Sequence, residues 1–258
     1  MYFLLVLIAR EQLEMNMYVA HASSPELNCN IWFMYDKARE ILNSCISKFV
    51  QDGWLSLRSD CGQILLQLSL ATKDTVTMVQ ASLLLLHPEV ALPSERKVQL
   101  EQAIVALVHG KHSMGLQPMV APLTIQVDQH HRLLRFSCFW EKTSLIVEEC
   151  GLLCLRVTST CSVAPLTASS LFVDMNPSNL SFSVSHVEGA GGVRIVEFKD
   201  GTGTAQADLS LNTQGSGSLL QFSLQLHSVG VVHPNSFIFT IGSGASSLQV
   251  VVPSVVNL

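Results

Sequence analysis

Apolar residues recur at helical spacing up to Gly110 and at alternate positions beyond it. From Tyr35 they fall at Ala38, Ile41, Leu42, Cys45, Ile46 and Phe49, which make one face of an α-helix, while Lys37, Arg39, Glu40, Asn43 and Lys48 take largely the other side. Asp52-Gly53 ends the series, and glycine suits the position just past a helix because it tolerates positive φ. The spacing restarts at Trp54 and runs through Leu57, Cys61, Ile64, Leu65 and Leu68. A third series, Val76, Val79, Leu83 and Leu86, follows Thr72-Lys73-Asp74 and closes at His87-Pro88. A fourth, Val98, Ile104, Leu107 and Val108, follows Pro93-Ser94 and closes at Gly110. Short breaks make neighbouring helices antiparallel, and none of the four can bury its apolar face alone. The expected solution is a stack of antiparallel helical hairpins, an α-solenoid, although no exact repeat period is present. A closed helical bundle is the alternative. Phe49, Asp52, Gly53, Trp54 and Leu57 are expected to form a structural joint between two helices, with Phe49 and Trp54 on its inner side.

After Gly115 the period changes to two. Leu123, Ile125 and Val127 alternate with polar residues, and strand-like runs continue at Leu133–Phe139, Leu152–Val157, Ser170–Val173, Leu180–Val184, Val193–Phe198, Ala205–Leu211, Leu219–Leu226, Phe237–Ile241 and Leu248–Val252. Turn residues separate them: Asn176-Pro177, Glu188-Gly189, Asp200-Gly201, Gly215 to Gly217, His233-Pro234-Asn235 and Gly242 to Gly244. Many short strands with such turns predict an antiparallel Ig-like β-sandwich, with a barrel second. The antibody-type inter-sheet disulfide is not expected. Cys138, Cys150, Cys154 and Cys161 crowd together, and Trp140 sits beside Cys138 rather than between distant cysteines. The expected class is therefore α+β and multidomain: a helical region over 1–112, a linker at 113–122 carrying Pro118 and Pro122, and a sandwich over 123–258.

Composition adds one feature. Charged residues are 14% of the 258, against roughly 25% for soluble domains, and the mean hydropathy is +0.36. Such a chain has either a large apolar interior or a surface covered by a partner. A surface rich in uncharged serine would also fit. Net charge is −5, and the densest basic patch is His130-His131-Arg132 with Arg135, too little to neutralise a run of phosphates. Nucleic acid is not an expected partner. Seven cysteines cannot all pair within the chain, and none forms a C-x-x-C motif. They are expected to be mostly buried thiols in a reducing compartment. The start, MYFLLVLIAR, imitates a signal peptide but lacks a basic beginning and runs into Arg10, Glu11 and Glu14. A helix with one buried face is the expected reading, and no stretch approaches the ~20 apolar residues a bilayer requires.

Catalytic signatures are absent from the sequence: no G-x-S-x-G elbow and no phosphate loop ending in Gly-Lys-Ser/Thr. Gly201-Thr202-Gly203 begins like a dinucleotide fingerprint, but Gln206 stands at the third glycine; a hairpin turn is expected there. His109, His112, His130 and His131, with Asp128, could be metal ligands, but they surround the linker with no cysteine at zinc spacing and are expected to be exposed. Glu148-Glu149 are adjacent, and on a strand adjacent side chains point to opposite faces, which does not suit an acid/base pair. Asn179-Leu180-Ser181 fits a glycosylation sequon. No catalytic residue, cofactor, metal or small-molecule substrate is expected, and the chain is not expected to be an enzyme.

The run YDKAREILNSCISKFVQDGWLSLRSDCGQILLQLSLATKD resembles the end of the foie gras domain found in a large subunit of the transport protein particle (TRAPP) complex, the eleventh in metazoan naming. The family pattern is Lys-Ala, two aliphatics, an aromatic, a polar break, Gly-Trp or Glu-Trp, then leucines. Lys37-Ala38, Ile41-Leu42, Phe49, Gly53-Trp54 and Leu57 stand at those places. The following helices and, more weakly, the strands from PLTIQVD onward extend the resemblance to roughly residues 35–185. The family usually has a second aromatic beside the tryptophan, where this chain has Leu55. Members carry a long preceding domain and continue beyond one sandwich, so the chain is expected to be part of a longer protein. The resemblance implies a non-catalytic scaffold or tethering segment in ER-to-Golgi traffic and autophagy. The expected partners are other TRAPP subunits and, indirectly, a Rab GTPase and membranes, in the cytoplasm at the ER–Golgi intermediate and cis-Golgi. A sandwich that binds carbohydrate or lipid, or a coat or adaptor appendage with a helical prefix, are the alternatives.

Overall fold

The computed structural model describes residues 25–87, 90–110, 116–126, 134–144, 148–162, 166–199, 202–211, 217–226 and 230–253, together with Glu11 and Ile146. The helix expected at the amino terminus lies outside the described residues, apart from Glu11. The chain divides into two compact units, Met1–Ile104 with His112–Pro118 and Val105–Lys111 with Met119–Leu258. The last turn of the fourth helix thus goes with the second unit, and the expected linker is shared between the two.

In the first unit, α1 (Pro25–Gln51), α2 (Leu55–Thr72), α3 (Thr75–Leu85) and α4 (Ser94–Val108, through Ile104) follow one another. Proline at the first position of α1 suits a helix start, where its missing N–H has no partner to lose. The first joint is a Schellman motif: the Trp54 N–H donates to the Phe49 carbonyl at 2.9 Å, and Gly53 holds φ +71° between them. The second joint repeats it, with the Asp74 N–H donating to the Ser69 carbonyl at 2.9 Å and Lys73 at φ 57° where glycine is usual. Asp74 then caps α3. Its Oδ1 accepts the N–H groups of Val76 at 3.0 Å and Thr77 at 3.2 Å, while its Oδ2 accepts the Thr77 hydroxyl at 2.7 Å and Arg39 Nη1 at 2.9 Å.

α3 is buried nearly all round: Thr75, Thr77, Met78, Val79, Ala81, Ser82, Leu83, Leu84 and Leu85 are inside, and Val76 is exposed. Gly62 of α2 lies against it; a Cβ there would stand 2.9 Å from Leu85 Cδ2. The polar groups on these helices are satisfied locally. Ser69 donates to the Leu66 carbonyl at 2.7 Å, and Thr75 donates to the Gln117 carbonyl.

The second unit is built from two mixed sheets. The larger runs β1 (Leu123–Gln126), β12 (Leu248–Pro253), β11 (His233–Ile241), β4 (Leu166–Asn176), β5 (Phe182–His186), β8 (Thr202–Ala207), β7 (Glu197–Lys199), with β9 (Ser210–Leu211) also on β4. The smaller runs β2 (Leu134–Trp140), β3 (Cys150–Ser159), β10 (Ser218–Gln225), β6 (Val193–Ile195). Aromatic side chains join them. Phe136 of β2 meets Phe237 and Phe239 of β11 at 4.4 and 6.2 Å between ring centroids, and Phe222 of β10 meets Phe182 of β5 at 5.2 Å.

The expected fold, an α-solenoid followed by an antiparallel Ig-like β-sandwich, is not the one observed. Among the described residues there are only four helices, and one of them is enclosed on nearly every side. A solenoid stacks like units that each keep an outer face. In the strand-rich unit, β1 pairs β12, β5 pairs β8 and β6 pairs β10 in parallel, so both sheets are mixed. Alternation along a strand fixes which residues face inward; it carries no information about which strand lies alongside or in which direction.

One segment ties the two sheets. Val193–Phe198, expected as a single strand, is divided at the buried Val196, with β6 on β10 of the smaller sheet and β7 on β8 of the larger. The Val196 N–H donates to the Ser223 carbonyl at 3.0 Å and fixes the crossing point.

Candidate functional site

The predicted helix joint is assembled as a capping structure. Phe49 is 1% exposed and Trp54 48% exposed, and their rings stack at 5.8 Å with 17° between planes. That contact is the hydrophobic partner of the Schellman hydrogen bond. Phe49 lies inside, whereas Trp54 covers it from the solvent side. Asp52 is exposed and pairs with Lys48 at 3.4 Å; Leu57 is half-buried.

The other candidate groups do not converge. His109 is exposed, while His112, Asp128, His130 and His131 lie outside the described residues. Among the described residues no cluster of three His, Cys, Asp or Glu side chains is placed to hold a metal ion. Glu148 and Glu149 form a bulge opposite Leu226: the Glu148 N–H donates to the Leu226 carbonyl at 2.8 Å, with Glu148 at φ 69°. Glu149 is held by Lys142 and by the Ile146 N–H, and its carboxyl is lowered from the usual range first by the Lys142 hydrogen bond. Asn179 of the sequon is exposed on a single helical turn, Ser178–Leu180, and Ser181 bonds the Met175 N–H at 2.9 Å.

Gly203 stands inside β8, opposite Phe182 of β5 and Phe198 of β7. A Cβ there would be 2.6 Å from Phe182 Cβ and 2.7 Å from Phe198 Cε1, so the glycine makes room for two aromatic side chains. Cys45, Cys61, Cys154 and Cys161 are buried, whereas Cys150 is exposed. Burial pushes the Cys61 thiol up to about 12, with Cys45 and Asp60 adding to the rise.

Two surface features remain, and they share an edge. The first is the outer face of the smaller sheet. Phe136 and Phe222 point to the larger sheet, so the alternate residues of β2 and β10 point away from it. Register places Phe139, Cys154, Gln221 and Val193 in one row across the four strands, Leu152, Ser223 and Ile195 in the next, and Leu219 beside Arg156 on the other side. Phe139 is 50%, Leu219 50%, Val193 52% and Ile195 75% exposed. On the larger sheet the outward rows are mixed: Ser170 with Ser185 and Gln206 is polar, while Ser183, Thr204 and Glu197 continue from Phe172, which is 39% exposed. The four outward apolar residues of the smaller sheet, each half exposed or more, mark a surface suited to being covered.

The second feature is a cleft of about 520 Å³ where β5, β6, β7 and β8 meet. Val193 and Ile195 form its apolar side, and Ser185, Thr204 and Gln206 its polar side, with Arg194 and Glu197 on the crossing segment. Arg194 donates from Nη2 to the Gly191 carbonyl, and its buried Nε has no hydrogen-bond partner. Glu197 pairs with Lys199 at 3.4 Å. The sequence signals neither feature, because each is made by the pairing of β6 with β10 and of β7 with β8.

No family model matches the chain, and no curated protein matches it. The chain is similar to a solved structure of Pseudomonas fluorescens alkylpurine DNA glycosylase AlkC bound to DNA containing an abasic site analog, at 12% identity and a TM-score of 0.22, over 84% of this chain and 53% of that one. It therefore spans about half the length of that chain. A likeness of this size carries no argument about fold or activity. That protein is an enzyme. The expectation that this chain is not one rested on missing motifs alone, and catalytic groups drawn from different strands leave no motif in the sequence, so the expectation is withdrawn. Among the described residues no helix is long and apolar enough to cross a membrane.

Proposed function

We propose that the chain is a docking segment that works through protein–protein contacts, within a tethering complex of the TRAPP type in ER-to-Golgi traffic and autophagy. The observation that carries the docking role is the apolar outer face of the smaller sheet, centred on Phe139, Val193, Ile195 and Leu219. Low charge content agrees with it, since a covered face needs few solvating side chains. The assembly is suggested by the resemblance at Lys37-Ala38, Ile41-Leu42, Phe49, Gly53-Trp54 and Leu57. The partners are other subunits, and contact with a Rab GTPase and cis-Golgi membranes is indirect.

The test is recovery of partners. Epitope-tagged chain is expressed in its native cell, and co-purifying proteins are identified by mass spectrometry. Wild type should recover TRAPP subunits, and an Ile195→Asp, Leu219→Asp variant should recover less than about a tenth as much, because charge on a desolvated face is costly. Both residues are exposed, so the variant's melting curve should match the wild type. A wild-type sample without trafficking subunits, or equal recovery by the variant, would sink the proposal.

A further inference from the structure

We infer that the cleft at Arg194 receives a side-chain carboxylate of the protein that covers the apolar face, so that the docking partner presents an acidic residue flanked by apolar ones. This rests on the docking role proposed above and names the chemistry of the partner. β6 is an edge strand of the smaller sheet, and its residues alternate in direction: Val193 and Ile195 belong to the outer apolar face, and Arg194 points the other way. A segment wrapping this edge therefore meets Val193 and Ile195 with apolar side chains and reaches Arg194 with the next residue along. The cleft is already continuous with the face, because Val193 and Ile195 line both.

A guanidinium has five N–H donors. Among the described residues Arg194 uses one, to the Gly191 carbonyl, and has no carboxylate at ion-pair distance. Its Nε is buried and unpartnered, a state that costs stability until an acceptor arrives or the side chain turns toward one. The carboxylate lining the same cleft, Glu197, is engaged by Lys199. Ser185 and Gln206 supply further donor groups around the same space, while the Thr204 hydroxyl donates to the Glu197 carbonyl. A single negative charge completes this set. A doubly charged phosphate would meet the nearby Glu197, so a carboxylate is the better fit.

The probe is a pool of fluorescent nonapeptides, blocked at both ends, with Leu or Val at alternate positions and one central Asp or Glu. The control pool carries Asn or Gln at that position. Binding to the full chain is read by fluorescence anisotropy. Wild type should bind the acidic pool at least about tenfold more tightly than the amide pool, the scale expected of a charge-assisted contact. Arg194→Gln should erase that preference while its melting curve stays unchanged, and Ile195→Asp should weaken both pools. Equal binding of the two pools, no binding of either, or a preference that survives Arg194→Gln would overturn the inference. Its failure is separable from that of the docking role. If cellular subunits are lost with Ile195→Asp, Leu219→Asp but retained by Arg194→Gln, the docking surface stands and the carboxylate site falls. If wild type recovers no subunit yet selects the acidic pool through Arg194, the site stands and the assembly falls.

Discussion

Replacing Asp74 with alanine removes a side chain that caps α3 and ties it to α1. Its carboxylate caps α3 through the N–H groups of Val76 and Thr77, holds the Thr77 hydroxyl, and receives Arg39 from α1. Loss of an Asp N-cap costs about 1 kcal/mol. The Arg39 pair is part-exposed, 41% on the arginine side and 24% on the aspartate side, and after solvent screening adds only about 0.5 kcal/mol. Asp74→Ala should therefore destabilise the chain by about 1.5 kcal/mol, and Asp74→Asn, which keeps a capping oxygen, by about 0.5–1 kcal/mol. Urea unfolding at pH 7 measures both. The pH dependence has a definite sign. Burial raises the Asp74 pKa, but the hydrogen bonds from Thr77 and the charge of Arg39 outweigh it and leave the net value lowered. A group depressed in the folded state contributes stability above its unfolded pKa of about 3.9 and loses it as pH falls through the folded value. The gap between wild type and Asp74→Asn should thus close below about pH 3.9. An Asp74→Ala chain as stable as wild type, or a gap that widens in acid, would refute the assignment of Asp74 as a charged cap.

Two further predictions concern backbone and packing. Gly53→Ala should cost about 1 kcal/mol, all of it conformational, because φ is +71° and no atom lies within 4 Å of the new Cβ; Lys73→Gly, at φ 57°, should gain a similar amount, and thermal unfolding reads both. Gly203→Ala should destabilise the strand unit by about 1–3 kcal/mol through overpacking against Phe182 and Phe198, and hydrogen exchange should show the loss first across the β5–β8 pair; unchanged protection there would contradict the packing role.

The four helices are legible because each leaves a local signature. Asp52-Gly53 and Lys73-Asp74 end and restart helices through bonds spanning only a few residues, and the apolar spacing of Cys61, Ile64, Leu65 and Leu68 is buried as it reads. Val76 shows the limit. It lies on the expected apolar stripe but is exposed, because α3 is enclosed from several sides and its inward residues form no single stripe. Gly203 reads as a turn residue in the sequence and proves to be a space left for two phenylalanines.

Residue order by itself determined where the chain coils and where it extends, since helix caps, turns and hydrophobic periods act over a few residues. Only the tertiary structure decided that β1, β5 and β6 pair in parallel with β12, β8 and β10, that Val193–Phe198 divides between two sheets at Val196, and that the Arg194 Nε stands without a hydrogen-bond partner beside an apolar face. Those outcomes depend on which distant strand supplies the backbone partner, a choice made by the packing of whole faces such as Phe136 on Phe237 and Phe182 on Phe222.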